Sequence, residues 1–200
     1  MNLHGKVIGW GVTGSFCSFE EVYPSIRLMI AEGARVIPVF SAAAATTDTR
    51  FGTSEEILAE VLKITGEKPL QTMVEVEPAG QKQLFDCFLI APCTGNTIAK
   101  LANAITDTPV LMAAKGTLRN NKPVVVAVST NDALGANAGN IGKLLNTKNI
   151  FMVPFGQDNP MAKPKSCVAD FSLIPETVAA ALEGRQVQPI LQKREWRTVR

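Results

Sequence analysis

A doubly wound α/β domain with a mainly parallel sheet is the architecture the sequence predicts, and three observations carry it. Short apolar runs without internal alternation recur at residues 6–10, 35–40, 88–91 and 123–128, the pattern of strands buried on both faces. Segments with apolar residues at helical spacing separate them, as βαβ units require. The runs end in small or polar stretches, GVTGS, SAAAATT, PCTGNT and STND, which right-handed crossovers gather on one edge of the sheet. Ligands of such sheets bind at that edge. The loops at 11–15, 41–47, 92–97 and 129–131 are therefore expected around one cleft.

The first strand, residues 6–10, ends in glycines. Ser18 with Glu21 is a candidate capping box for a helix over about 19–32, closed by Gly33. The strand at 35–40 ends on Ser41. After the small polar loop SAAAATTDTRFGT, Ser54 with Glu55 and Glu56 opens a helix to about Ile64, and residues 72–76 are expected as a strand. The organising stretch is LFDCFLIAPCTGNTIAKLANAITD, residues 84–107. Its apolar run is stopped by Pro92, and Ile98, Leu101, Ala102 and Ile105 follow at helical spacing. Such a strand-to-helix junction presents free backbone N–H groups, the positive end of a helix dipole and short hydroxyls, which suit an anionic cofactor. Asp107 is placed either to cap a helix over about 108–118 or to contact a ligand. The strand at 123–128 leads through STNDALGANAGN into a helix ending near Leu145; residues 150–153 form a last short strand, 155–164 a loop, and 175–182 a helix with Pro in its first turn.

Composition sets the frame. Two hundred residues, 46% apolar and 19% charged, describe one ordinary globular domain. Its expected extent is 1–185, followed by a basic tail at 186–200 with Lys193, Arg194, Arg197 and Arg200. A net charge of +2 with no basic stripe elsewhere argues against nucleic acid. No signal peptide and no bilayer-length apolar run is present, so a cytoplasmic protein is expected. Cys17, Cys87, Cys93 and Cys167 have neither metal-ligand nor disulfide spacing. Reduced thiols and no metal site are expected.

Gly9, Gly11 and Gly14 match G-x-G-x-x-G after a strand, but the acid that would confirm a dinucleotide site is replaced by Ser41. A hydroxyl there suits a phosphate better than a ribose diol. Two other readings stay open: Arg50 could accept the 2′-phosphate of NADP, or the glycines merely allow a tight turn and close helix packing. Cys93 lies in the organising loop, yet the one histidine, His4, precedes the first strand and belongs to the opposite edge. The cleft therefore lacks an imidazole to activate a nucleophile. Asn131 and Asn137 carry amides able to donate and accept at a flavin or substrate edge.

PCTGNT (residues 92–97) followed by IAKLANAITD resembles the PASANT-type loop of the homo-oligomeric flavin-containing cysteine decarboxylases and their flavoprotein relatives. GVTGS resembles their first loop. VSTNDAL resembles their Met-Asn loop, with Asn131 in register and Thr130 in place of Met. The resemblance implies a Rossmann-like flavoprotein fold, with FMN in the cleft. By match it implies Gly14, Ser15 and Ser41 near the phosphate, and Thr94, Asn96, Thr97 and Asn131 near the rest of the flavin or the substrate. It also implies a homo-oligomer, a trimer or a multiple of one. Two departures matter. The decarboxylase histidine has no counterpart, and the substrate clamp reads Met161-Ala162-Lys163-Pro164, with a base where the family carries an acid.

Within that family, HGKVIGWGVTGSFCSFEEV and the NPMAKP loop resemble one subunit of an oxidoreductase from the mother cell of sporulating bacteria. The resemblance implies a nicotinamide-dependent, dehydrogenase-like partner subunit, NADP held by that partner, and a small dicarboxylate as substrate. Lys163 is the candidate substrate cation, with Lys165 beside it. A non-catalytic assembly role with a vestigial pocket, and a free-standing FMN-dependent decarboxylase or transferase, are the alternatives.

Overall fold

The computed structural model describes residues 3–193; Arg194, Arg197 and Arg200 of the expected tail lie outside the described residues. Five strands form a parallel sheet in the order β2-β1-β3-β4-β5: β1 (Val7–Val12), β2 (Arg35–Phe40), β3 (Cys87–Cys93), β4 (Val124–Thr130) and β5 (Ile150–Met152). β4 serves two neighbours. Val124, Val125 and Val126 pair in parallel with β5, while Ser129 and Thr130 pair antiparallel with β7 (Cys167–Ala169), whose outer edge takes β6 (Phe155–Gln157). Because β2 and β3 lie on opposite sides of β1, the strand order reverses there, and a crevice opens at the carboxyl ends of β1 and β3.

Eight α-helices accompany the strands among the described residues: α1 (Phe19–Ala31), α2 (Ala42–Thr46), α3 (Ser54–Thr65), α4 (Met73–Gln81), α5 (Gly95–Ala102), α6 (Pro109–Arg119), α7 (Ala138–Leu145) and α8 (Ile174–Leu182). Alternation along β1 sorts its side chains between two layers. Trp10 meets Tyr23 of α1 edge to face, centroids 6.3 Å apart, and its indole N–H donates to the Ala91 carbonyl at 2.7 Å. On the opposite face Gly9 and Gly11 leave room for the Phe88 ring. A Cβ at Gly9 would stand 2.4 Å from Phe88 Cδ2, and one at Gly11 2.9 Å from Val110 of α6. The first two glycines of the motif are thus packing residues inside a strand, and Gly14 alone reaches the ligand edge.

Several elements differ from expectation. Residues 72–76 do not form a strand: Thr72 caps α4, its hydroxyl accepting the Glu75 N–H at 3.2 Å while Glu75 accepts the Thr72 N–H at 3.0 Å. That reciprocal pair satisfies two donors a strand would leave unpaired, and it overrides the β-like Thr-Met-Val-Glu-Val pattern. α3 does begin at Ser54 as expected, with Thr53 and Glu56 forming its capping box. Asp107 does not cap α6; Thr108 does, and Asp107 pairs with Lys100 at 2.7 Å. Pro92 does not stop β3, which continues to Cys93 because the ladder to β4 shifts register between Ile90 and Cys93, where a proline's missing N–H is tolerated. The expected loop at 155–164 begins as β6, and β7 and the short α2 have no counterpart in the sequence pattern.

Toward the chain's end, Gln186 donates to and accepts from the Met152 backbone at 2.7 and 2.8 Å. Leu191 bridges to Phe155, with backbone bonds from Phe155 to Ile190 and from Gln192 to Phe155. Among the described residues no helix is long and apolar enough to cross a membrane, and no three His, Cys, Asp or Glu side chains are grouped to hold a metal ion.

Candidate functional site

The carboxyl ends of β1, β3 and β4 surround an open cleft of about 1300 Å³. Gly14, Ser15, Thr94, Asn96, Asn131 and Lys163 line it. Ser41 and Thr97 are set back from the wall, and Thr97 is tied to Thr94 in front of it. Ser41 is the N-cap of α2, accepting the Ala44 N–H at 3.3 Å, and its own N–H donates to Val12 O at 3.0 Å, which fixes it beside the first loop. Thr97 Oγ1 lies 3.1 Å from Thr94 Oγ1, and Thr94 caps α5.

Thr13 joins the two loops of the crevice. Its buried hydroxyl donates to the Pro92 carbonyl at 2.7 Å and accepts the Thr94 N–H at 3.1 Å. Thr13→Val keeps the shape and removes both bonds, leaving two backbone groups without a partner. It is expected to cost about 1–3 kcal/mol, read as a lower midpoint in denaturant unfolding with an unchanged slope.

Ser18 does not form the expected capping box with Glu21, because its hydroxyl is drawn elsewhere. Ser129 Oγ lies 2.7 Å from Ser15 Oγ and 2.9 Å from Ser18 Oγ, and the last two are 3.3 Å apart. Three hydroxyls from β4 and from the turn before α1 thus cluster at the positive end of the first helix, with Glu21 of that helix's first turn on the same cleft wall. No local motif marks Ser18 or Ser129 as part of the cluster; only the pairing of distant loops does.

A second network backs the α5 end. Asp132 accepts from Thr130 Oγ1 at 2.5 Å and from Asn137 Nδ2 at 2.8 Å, and Asn140 donates to Asn137 Oδ1 at 3.0 Å. Gly95 makes room for it: a Cβ there would lie 2.6 Å from Thr130 Oγ1 and 2.7 Å from both Asn137 Nδ2 and Asp132 Oδ1. Asn137 is therefore buried structure behind the cleft, while Asn131 and Asn96 are exposed on it. Asn131 Oδ1 receives only a long 3.5 Å contact from Ser166.

Across the cleft Lys163 Nζ lies 3.6 Å from Asp158 Oδ2. Burial pushes the Asp158 carboxyl up, but hydrogen bonds from Ser166 and from nearby backbone N–H groups, with Lys163 beside it, outweigh that and hold it below the usual carboxylate range. The charge of Lys163 is thereby partly spent inside the protein. Cys93 is fully buried, and desolvation pushes its thiol well above the usual range, so it is no nucleophile. His4 lies beside Gly33, at the opposite edge of the sheet.

The chain is 52% identical over 190 residues to the B subunit of dipicolinate synthase from Bacillus subtilis (strain 168), covering 95% of each. The crystal structure of the B subunit of dipicolinate synthase from Bacillus halodurans C superposes with a TM-score of 0.90 at 52% identity, covering 98% of this chain and all of that one. The FMN-dependent cysteine decarboxylase SpaF shares the fold, with a TM-score of 0.62 at 20% identity over 90% of this chain and 98% of its own. The Flavoprotein family matches residues 1–183. With a cleft at the reversal of strand order, walled by hydroxyl and amide side chains, and with this extent of likeness, the chain belongs to the Flavoprotein family.

Proposed function

We propose that this chain is the flavin-holding B subunit of a dipicolinate synthase, acting with the dehydrogenase-like A subunit in the cytoplasm of the mother cell of sporulating bacteria. The observation that carries the reading is the seat of Ser15, Ser18 and Ser129 hydroxyls at the start of α1, which opens into the same cleft as Thr94, Asn96 and Asn131. It offers hydroxyl donors and a helix N-terminus, and among the described residues no carboxylate is hydrogen-bonded to those hydroxyls, which fits the phosphate of FMN. The rest of the cleft offers amides and hydroxyls to a ring edge. When bound, FMN supplies reversible two-electron redox chemistry.

In this reading Gly14 lets the backbone approach the phosphate, Ser15 donates to it, and Ser41 steadies the loop from behind. Thr94, oriented by Thr97, together with Asn96 and Asn131 positions the ring or the substrate. Lys163, held by Asp158, faces a carboxylate of the substrate. The reaction oxidises dihydrodipicolinate to dipicolinate by removing a hydride and a proton, with NADP on the dehydrogenase-like partner as the hydride acceptor. The protein assembles as a homo-oligomer, a trimer or a multiple of one.

The test is visible absorbance and mass analysis of what copurifies with the chain, alone and mixed with the dehydrogenase-like partner. Flavin is expected. Ser15→Ala with Ser129→Ala should lower flavin content at least about 10-fold, because each lost bond to a charged phosphate is worth about 1.5–3 kcal/mol. Unchanged content would defeat the phosphate assignment. Lack of an imidazole in the cleft and the burial of Cys93 favour a second reading, an assembly role with a vestigial pocket. A colourless chain that still raises the activity of its dehydrogenase-like partner would establish it.

A further inference from the structure

Among the described residues the cleft wall carries a cation that makes no ion pair. It is Arg50, whereas Lys163 is engaged by Asp158, Arg35 by Glu67 and Arg27 by Glu60. Its partner among the described residues is aromatic: the guanidinium carbon stands 4.8 Å from the centroid of the Phe51 ring. Phe51 remains 52% exposed although it too lines the cleft.

The pair sits at the tip of a closed turn. Thr49 N–H donates to Gly52 O at 3.0 Å, Gly52 N–H donates to Thr49 O at 3.1 Å, and Phe51 N–H donates to the Thr49 hydroxyl at 3.1 Å. Gly52 has φ +135°, a backbone state that side-chain-bearing residues rarely adopt. The turn therefore presents its cation and ring on an ordered backbone, so less conformational freedom is lost on binding. It also follows β2, at the opposite end of the strand order from the β6–β7 side that supplies Asp158 and Lys163.

We infer that Arg50 and Phe51 form a subsite for a planar aromatic carboxylate, the guanidinium fork taking the carboxylate and the Phe51 ring packing against the aromatic plane. Arginine's two parallel donors match a carboxylate bidentately, and a stacked guanidinium is already oriented to do so. A half-exposed phenylalanine gains by covering its surface with a flat apolar face. The phosphate has its own seat at the hydroxyl cluster, which leaves this cation for the substrate. The inference rests on the proposed dipicolinate synthase reading and extends it by naming the cation that meets the second carboxylate of a dicarboxylate whose first faces Lys163.

The experiment is calorimetric titration of the full chain with dipicolinate, pyridine-2,6-dicarboxylate, on protein reconstituted with FMN, with flavin content read by absorbance in every variant. Arg50→Gln should weaken dipicolinate at least about 10-fold while flavin content holds, and Arg50→Lys should fall between, keeping charge but losing the fork. Phe51→Leu should weaken it by about 3-fold to 10-fold. If wild type binds dipicolinate and Arg50→Gln binds it equally, the inference fails and the functional reading stands. If Arg50→Gln instead loses flavin with dipicolinate affinity intact, the cation serves the flavin phosphate and the inference is again overturned. Wild-type protein that binds neither compound defeats the functional reading itself.

Discussion

With Gly95 replaced by alanine, flavin content is expected to fall at least about 10-fold and stability by about 1–3 kcal/mol, the range for forcing an extra methyl into a packed site. The new Cβ would lie within 2.7 Å of Thr130 Oγ1, Asn137 Nδ2 and Asp132 Oδ1. Asp132 already accepts from the other two residues at 2.5 and 2.8 Å, so none can retreat without breaking the network. Something must shift, and the candidate is the first turn of α5, which carries Asn96 into the cleft and Thr94 at its cap. Flavin-to-protein ratio and thermal unfolding measure the two effects. Full flavin content in this variant would show that the Thr94–Asn96 turn does not need its observed place. The site's position is thus set by a residue with no side chain, standing where the PASANT-type loop has alanine.

Phe88→Ala is expected to cost more, about 3–5 kcal/mol, the usual range for truncating a buried aromatic residue. Phe88 is fully buried, stacks obliquely on Phe85 with centroids 5.5 Å apart, and lies over Gly9 and Gly11 of the neighbouring strand. Removing the ring leaves a void that two glycines cannot fill. Urea or guanidinium unfolding should show the loss as a lower midpoint. A cost below about 1 kcal/mol would mean that Phe85 collapses into the gap, and that the strand glycines are not there for Phe88.

Much of the architecture is legible in the chain because its central strands are buried on both faces: VVVAV and CFLIA cannot be exposed strands, and between them lie spacings that only helices explain. Where two local patterns compete, reading fails. Thr-Met-Val-Glu-Val looks extended, yet Thr72 and Glu75 satisfy each other's backbone donors, and that reciprocity is visible as Thr-x-x-Glu once it is weighed above β-branching. β6 and β7 are three residues each and pair with partners chosen by the tertiary fold, so no local periodicity could announce them.

The cleft divides in the same way. Ser15, Thr94 and Asn131 are legible because each closely follows a recognisable strand. Ser129 meets Ser15 across 114 positions of sequence, and Asp132 is significant only through the space Gly95 leaves; neither relation is local. Lys163 stands out by motif, but its pairing with Asp158 exists only in three dimensions.

The chain's closing stretch has a further consequence. Through Gln186 it holds the backbone of Met152 at the end of β5, and through Ile190, Leu191 and Gln192 it lies along the outer border of β6, occupying hydrogen-bonding groups that a bare outermost strand would offer to any passing extended polypeptide. The molecule thereby blunts its own invitation to self-templated stacking.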